Sequence, residues 1–315
     1  MADRAPASRL GVSPLGVHTG VDHASGLRRG PALALVIGDP YERFMDDPYF
    51  PRLIRGMDGV LASRGAQLLI LGAEPGSGSR RAEAYLTPAT VDGVALNSVG
   101  SNNPLVGAMA QRGLPVVFLG RPSNAEHFNW VDVDNVGGAA HAVSHLLQGG
   151  RRIVATITGR QDIAASGDRL LGYRKAHEEA GLNVDPALIE SGGFTRDGAM
   201  RAMRFLLMKR PELDAVFVAS DPMAAAALDV LATSGRRVPD DVAVVGYDDD
   251  PVAATTQPPL TSVRQPVEDL GREASRLLFA AIGSPSQPAR NVILPTRLEV
   301  RASSAPVAPR TPVIR

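Results

Sequence analysis

The sequence predicts an α/β fold of two lobes of similar size standing in series. Three observations carry that reading. Short apolar runs alternate with longer amphipathic stretches, the pattern of a parallel sheet with crossover helices. The 315 residues suffice for about two domains with cores of their own. Hydrophobic residues at 44% and charged residues at 21% sit near globular averages, which argues against wholesale disorder, collagen-like repeats and coiled coils.

Element by element, Ala32–Gly38 reads as the first strand, a short apolar run. Phe50–Arg64 reads as a helix because Leu53, Ile54, Met57, Val60 and Leu61 recur at helical spacing. Gln67–Leu71 is a second strand, Arg80–Leu86 a short helix and Val91–Leu96 a third strand. Pro104–Arg112 is helical, Pro115–Leu119 a fourth strand, and a loop leads to Val131–Val133. A second series then begins with a helix at Val136–Leu147, a strand at Arg152–Ile157 and a helix at Gly167–Ala180 closed by Gly181. Helix Asp197–Lys209, strand Ala215–Val218, helix Pro222–Thr233 and strand Val242–Tyr247 follow. Thr261–Gln265, Val267–Ile282 and Val292–Val300 end the fold as strand, helix and strand. The Pro- and Ala-rich tail is expected to be disordered. Such a two-lobed chain places its ligand where strand C-termini of both lobes face each other across a cleft.

Composition narrows the function. With 33 basic and 33 acidic residues the formal net charge is zero, so the molecule as a whole is no nucleic-acid-coating surface. The absence of cysteine excludes disulfide scaffolds, thiolate zinc sites, Fe–S clusters and cysteine nucleophiles. The longest apolar stretch, Ala32 to Ile37, is far shorter than the roughly 20 residues a bilayer requires. No signal-peptide pattern opens the chain, so a cytoplasmic location with no membrane partner is expected.

Several motifs read as ordinary structure. Gly72-Ala73-Glu74-Pro75-Gly76-Ser77-Gly78 lacks both the dinucleotide-binding spacing and a following Gly-Lys-Ser/Thr. His141 and His145 stand four apart on a helix, but Ala142 occupies the place where a zinc protease carries Glu. No G-x-S-x-G elbow is present. The run Tyr247-Asp248-Asp249-Asp250 reads as a solvated loop after a strand, with Asp248 placed to enter a cleft. Neither a metal nor a cofactor is expected, and no nucleophile–base pair marks an enzyme.

The C-terminal half carries a more specific signal. Pro211-Glu212-Leu213-Asp214 leads to Val218-Ala219-Ser220-Asp221-Pro222-Met223-Ala224. Gly235-Arg236-Arg237-Val238-Pro239 leads to Val244-Val245-Gly246-Tyr247-Asp248-Asp249. Pro258-Pro259-Leu260-Thr261-Ser262-Val263-Arg264-Gln265-Pro266 and Leu270-Gly271 follow, with Arg169-Leu170-Leu171-Gly172-Tyr173 upstream. Together these resemble the effector-binding core of the lactose-repressor (LacI/GalR) family of bacterial transcription regulators, over roughly Ala32 to Ser303. The resemblance implies two Rossmann-like, periplasmic-binding-protein-like lobes joined by three crossover connections, near Asp134–Asn135, Gln265–Pro266 and Pro295. The first lobe is then 32–134 plus 266–294 and the second 135–265 plus 295–303, with an N-terminal stub at 1–31 and a disordered tail at 304–315. It also implies a small effector, a sugar in the first place, and a homodimer built on the core. Leu53, Met57 and Leu61 offer more apolar helix face than one sheet side needs.

The same resemblance assigns the effector contacts. A polyhydroxylated ligand needs paired donors and acceptors and an aromatic face. Arg169 matches the family's ligand-contacting arginine, whose fork donates to vicinal oxygens. Asp248 matches the acidic acceptor; a structural Arg–Asp pair is the competing role. Phe194 falls where the family carries a cleft aromatic. Tyr49 and Phe50 fall where side chains reach the ligand, with core packing the alternative for Phe50. Asp221 and Gln265 match further cleft positions, although Ser220 stands where many members carry Asn. Arg121 adds a donor or faces solvent.

Ahead of Ala32, the family's repressors carry a three-helix DNA-binding head and a hinge helix. Here Ala24, Leu27, Arg28 and Gly30 match the hinge ending, whose leucine enters the minor groove in the family. Leu27 and Arg28 are therefore the candidate DNA contacts. Gly11, Gly16, Gly20 and Gly26 interrupt any helix in this segment, and four arginines against two aspartates make a small phosphate footprint. The expected function is a ligand-responsive transcriptional regulator, with operator DNA as a partner by family but no operator specificity in the chain as written. The alternative is a head-less cytoplasmic sugar sensor or solute-binding protein.

Overall fold

The computed structural model describes residues 30–305 apart from 75, 101, 285 and 286. The expectations for the stub through residue 29, Leu27 and Arg28 among them, and for the tail from 306 lie outside the described residues. The chain runs β1 (Ala32–Ile37), α1 (Tyr41–Asp46), α2 (Tyr49–Ala62), β2 (Gln67–Gly72), α3 (Ser77–Tyr85), β3 (Gly93–Asn97), α4 (Pro104–Gln111), β4 (Val116–Leu119) and β5 (Asn129–Val133). It continues with α5 (Asn135–Gln148), β6 (Val154–Thr158), α6 (Ala164–Glu179), β7 (Ile189–Ser191), α7 (Arg196–Lys209), β8 (Ala215–Val218), α8 (Asp221–Thr233) and β9 (Ala243–Asp248). Last come α9 (Pro251–Thr255), β10 (Thr261–Arg264), α10 (Val267–Gly283), β11 (Asn291–Leu294) and β12 (Arg297–Glu299).

Two six-stranded sheets result. The first has the order β11-β5-β4-β3-β1-β2 and is parallel throughout. The second has the order β12-β10-β9-β8-β6-β7, with β12 antiparallel to β10. Each parallel sheet is covered on both faces, which is why β1, β3, β6, β8 and β9 are buried along their whole length. In the first lobe α2 and α10 cover one face and α3 and α4 the other. In the second, α7 and α8 lie opposite α5 and α6. The chain passes between lobes at Asp134, at Gln265–Pro266 and at Pro295–Thr296.

Two motif glycines serve helix packing. A Cβ on Gly271 of α10 would lie 2.3 Å from the Leu53 carbonyl oxygen of α2, and one on Gly172 of α6 would lie 2.3 Å from the Val136 carbonyl oxygen of α5. Only glycine lets these backbones approach so closely.

Four sequence expectations need correction. The run 292–300 is not one strand: β11 joins the first sheet and β12 the second, because Pro295 lacks the N–H that would continue a ladder. The tail does not begin at 304, since the Ser304 side chain is buried, donates to Thr261 Oγ1 at 2.7 Å and lies 2.8 Å from His145 Nε2. Leu53, Met57 and Leu61 are wholly buried in the first lobe's core and offer no free face. Asp248 is the last residue of β9 rather than a loop residue. Helix α1 and strand β7, too short for a periodic signal, are additions.

Candidate functional site

A cleft of about 140 Å³ opens between the C-terminal ends of the two parallel sheets, room for roughly ten water-sized positions. Strand ends shape it. Among the described residues, the non-glycine positions with positive φ are Ser98 (54°), Phe194 (60°), Asp248 (110°) and Asp249 (49°). All follow or end strands β3, β7 and β9, and three of them line the cleft. Strained backbone of this kind persists where the surroundings over-determine it, as at binding sites.

Arg169 is the centre of the site. It projects from α6, is 5% exposed, and lays its guanidinium 3.6 Å from the centroid of the Tyr247 ring. Its Nε donates to Asn135 Oδ1 at 2.9 Å and its Nη1 to the Ala219 carbonyl at 2.5 Å. Asp248 Oδ1 stands 3.6 Å from Nη1 and also accepts from Gln265 Nε2. Nη2 of Arg169 and Oδ2 of Asp248 have no hydrogen-bond partner among the described residues. One donor pair and one acceptor therefore stay open beside each other.

The network extends into the first lobe. Asn135 Nδ2 donates to Asp132 Oδ1 at 2.9 Å, and Asp132 also accepts the Val133 and Arg121 backbone N–H groups at 2.7 and 3.0 Å. Burial raises the Asp132 carboxyl above its usual range against those hydrogen bonds. Burial likewise pushes Asp248 well up, opposed by the neighbouring Arg169 charge. Tyr49, opening α2, donates its hydroxyl to Asn97 Oδ1 at 3.1 Å, and its phenol is raised by burial. Phe194 presents its ring to the cleft with the Arg43 guanidinium 4.5 Å from its centroid.

Tyr49, Arg169, Phe194, Asp248 and Gln265 thus meet in one cleft. Two proposed contacts do not. Phe50 is wholly buried, edge-on to Phe44 and Tyr49 with centroids 5.3 Å apart, because the first turn of α2 turns it toward the sheet. Asp221 is wholly buried beneath the cleft. Its oxygens accept from Ser262 Oγ at 2.7 Å and from the Asp250 N–H at 2.8 Å, which ties α8 to β10 and α9. Arg121 also lines the cleft; its Nη2 donates to both Asp168 oxygens at 2.5 and 2.8 Å across the lobes, while Nε and Nη1 have no hydrogen-bond partner among the described residues. In the acidic run, Asp249 pairs with Arg301 at 2.6 Å and Asp250 with Arg52 at 2.6 Å.

Asn97, Asp132, Asn135 and Arg43 were not anticipated. The rule that ligands meet strand C-termini marks the first two, at the ends of β3 and β5. Arg43 lies on α1, which carries no signal of its own.

The family model for the periplasmic binding protein-like domain matches residues 143–304. The transcriptional regulator CelR of Thermobifida fusca is 43% identical over 279 residues, 88% of this chain and 82% of its own length. The ribose operon repressor of Halalkalibacterium halodurans is 32% identical over 261 residues, 82% of this chain and 77% of the repressor. The chain belongs to the LacI family of transcriptional regulators. A solved complex of transcriptional regulator CelR with cellobiose superposes with a TM-score of 0.85 at 42% identity, covering 88% of this chain and 85% of the other. A LacI-type regulator from Bacillus cereus subsp. cytotoxis, 23% identical, shares the fold with a TM-score of 0.82 over 89% of this chain and the whole of that one. The two sheets and their cleft are thus the effector domain of this LacI-family regulator. Among the described residues, no helix is long and apolar enough to cross a membrane.

Proposed function

We propose that the cleft binds a neutral sugar of the cellobiose class, and that the chain acts without catalysis, in the cytoplasm, as a homodimer that answers this effector on operator DNA. One observation carries the sugar reading: the open Nη2 of Arg169 and open Oδ2 of Asp248 stand together in a cleft that also holds the Phe194 ring. Paired donors and acceptors suit vicinal hydroxyls, and an aromatic face suits the C–H side of a sugar ring. The cleft's charges are already answered within the protein: Arg169 by Asp248, Arg121 by Asp168, Arg43 by Asp39. A sugar phosphate or uronate would meet no spare cation there. The complex of CelR with cellobiose points the same way.

The regulator reading without catalysis rests on the cleft's composition. Among the described residues no histidine or lysine lines it, and its carboxylates are held by amides and guanidinium groups rather than beside a nucleophile. The homodimer rests on the free edge of the first sheet. Ile70 on edge strand β2 is 41% exposed, and Tyr41 and Tyr85 beside it are 65% and 47% exposed. Sedimentation velocity should give a dimer at micromolar concentration, and a monomer there would overturn this part of the proposal.

Titration calorimetry with cellobiose tests the effector. A thermal-shift series is the companion measurement, because a ligand at 100 times its Kd adds about 2.7 kcal/mol to stability. Neither heat nor a raised Tm from cellobiose would overturn the assignment.

A further inference from the structure

We propose that Asp39 and Arg160 form a latch across the far mouth of the cleft, and that the latch limits the length of ligand the cleft accepts. The proposal rests on the reading of the cleft as a sugar site. The three connections leave from β5, β10 and β11, at one edge of the two sheets. Asp39 follows β1 and Arg160 follows β6, each next to the outermost strand at the opposite edge. There Arg160 Nη1 donates to Asp39 Oδ1 at 3.2 Å, joining second lobe to first where no chain connection does. The Asp39 side chain is wholly buried and the Arg160 side chain is 23% exposed, so the pair is screened by salt less than a surface pair.

A second contact reinforces the first. Arg43 Nη1 shares Asp39 Oδ1 and lays its guanidinium 4.5 Å from the Phe194 ring centroid in the other lobe. Gly159 packs against one edge of that ring, where a Cβ would come within 2.1 Å of Cε2 and Cζ. Phe194 thus has one edge against the backbone beside Arg160 and one face under a cation tied to Asp39.

The latch can open without stranding a charge. On release Arg160 keeps Asp162, whose oxygens it meets at 3.0 and 2.5 Å, and Asp39 keeps Arg43. An ion pair with a fallback partner on each side avoids the large cost of an uncompensated buried charge, so both arrangements are accessible. A disaccharide that fits behind the pair leaves it closed. A longer chain must project through the mouth and hold Asp39 and Arg160 apart.

Neither residue lines the cleft, and Arg160→Gln leaves Arg43 on Asp39, so it spares the sugar contacts, whereas Asp39→Asn also loosens Arg43 beside Phe194. The experiment compares cellobiose and cellotetraose by calorimetry in the full chain, in Asp39→Asn and in Arg160→Gln. The native chain should prefer cellobiose by about tenfold or more. Both variants should bring that ratio close to one; Arg160→Gln should lose only about threefold in cellobiose affinity, and Asp39→Asn more, because Arg43 loses its carboxylate as well. An unchanged ratio in both variants overturns the length limit. If neither sugar binds the native chain, the sugar reading has failed and a ligand-free measurement decides the latch. The chain contains no cysteine, so spin labels at Gln111→Cys and Met208→Cys report one distance between exposed sites on the two lobes when diluted with unlabelled chain. Asp39→Asn and Arg160→Gln should lengthen and broaden it; a distribution identical to the native one overturns the latch.

Discussion

Replacing Arg169 by alanine removes four interactions at once, and they separate into those that hold the protein and those offered to a ligand. The two hydrogen bonds, to Asn135 Oδ1 and the Ala219 carbonyl, belong to the folded protein, as do the stacking on Tyr247 and the pairing with Asp248. A charged hydrogen bond contributes about 1.5–3 kcal/mol when one partner is removed and the other stays dry. Asn135 and Asp248 border the cleft, where water replaces much of the lost bonding, which leaves the Ala219 carbonyl as the acceptor orphaned away from it. The stability loss should therefore stay near a single such bond, about 1.5–3 kcal/mol, and the protein should remain folded at room temperature.

Effector binding should fall by more than that loss can explain. The open Nη2 of Arg169 supplies the site's charged donor pair, and Asp248 next to it loses the charge that opposes its protonation. Removing a charge-assisted contact of about 1.5–3 kcal/mol weakens Kd roughly 10- to 150-fold. Arg169→Lys keeps the charge near Asp248 but not the fork, and should fall between the two. Calorimetry with cellobiose at pH 7.5, alongside thermal melts of all three proteins, makes the comparison. A folded Arg169→Ala protein with native affinity would refute the site.

Two further outcomes follow from particular residues. Phe50→Ala should cost about 3–5 kcal/mol in urea unfolding, as for a buried aromatic, yet leave cellobiose affinity unchanged where the variant is folded; a selective loss of affinity would return Phe50 to the site. Burial and the nearby Asp47 charge raise Asp250 to about 6, against the Arg52 partner that lowers it. Because that value lies above the unfolded one, about 3.9, the folded state holds this proton more tightly. Its stabilising effect is complete below about pH 4 and is lost as pH rises through 6. Asp250→Asn should thus gain stability relative to the native chain between pH 5 and pH 7.5, read as the difference in Tm; a difference that stays flat would contradict this.

What the sequence discloses depends on how far each feature extends along the chain. Strands such as β1 and β9 are legible because both faces are covered, so the apolar run is unbroken. Helices α2 and α10 are legible from their buried stripes. Helix α1, of six residues with none buried, has no stripe to read. Strand β7 has three residues and belongs to the sheet only through β6. In the site, Arg169 and Asp248 stand in extended motifs and can be placed by them. Asp221 stands in an equally strong motif but faces the other way, because Ser262 and the Asp250 N–H take its oxygens beneath the strand ends. Sequence places a residue near the cleft; which neighbour claims its polar atoms is settled by packing between segments some 30 to 40 residues apart.

The chain of bonds through the site explains how a ligand in the cleft can act on the lobes. Asp132 is the last residue but one of β5 and is held by the N–H groups of Val133 and Arg121. Asn135, on the far side of the first crossing, links Asp132 to Arg169. Arg169 faces Asp248, and Asp248 accepts from Gln265 at the second crossing. Arg52 from the first lobe closes the path by donating to the Gln265 carbonyl at 3.3 Å and to Asp250. Two of the three connections between lobes are therefore bonded into the network that carries the open donor and acceptor. A ligand that engages Arg169 and Asp248 of the second lobe together with first-lobe groups of the same cleft spans the two lobes. It shifts the angle between them by the difference in its affinity for the two arrangements and by no more. Contacts confined to one lobe, however strong, would bind without this effect, so a ligand held by Arg169 and Asp248 biases the angle through what it also touches on the first lobe, where Tyr49 and Asn97 line the same cleft.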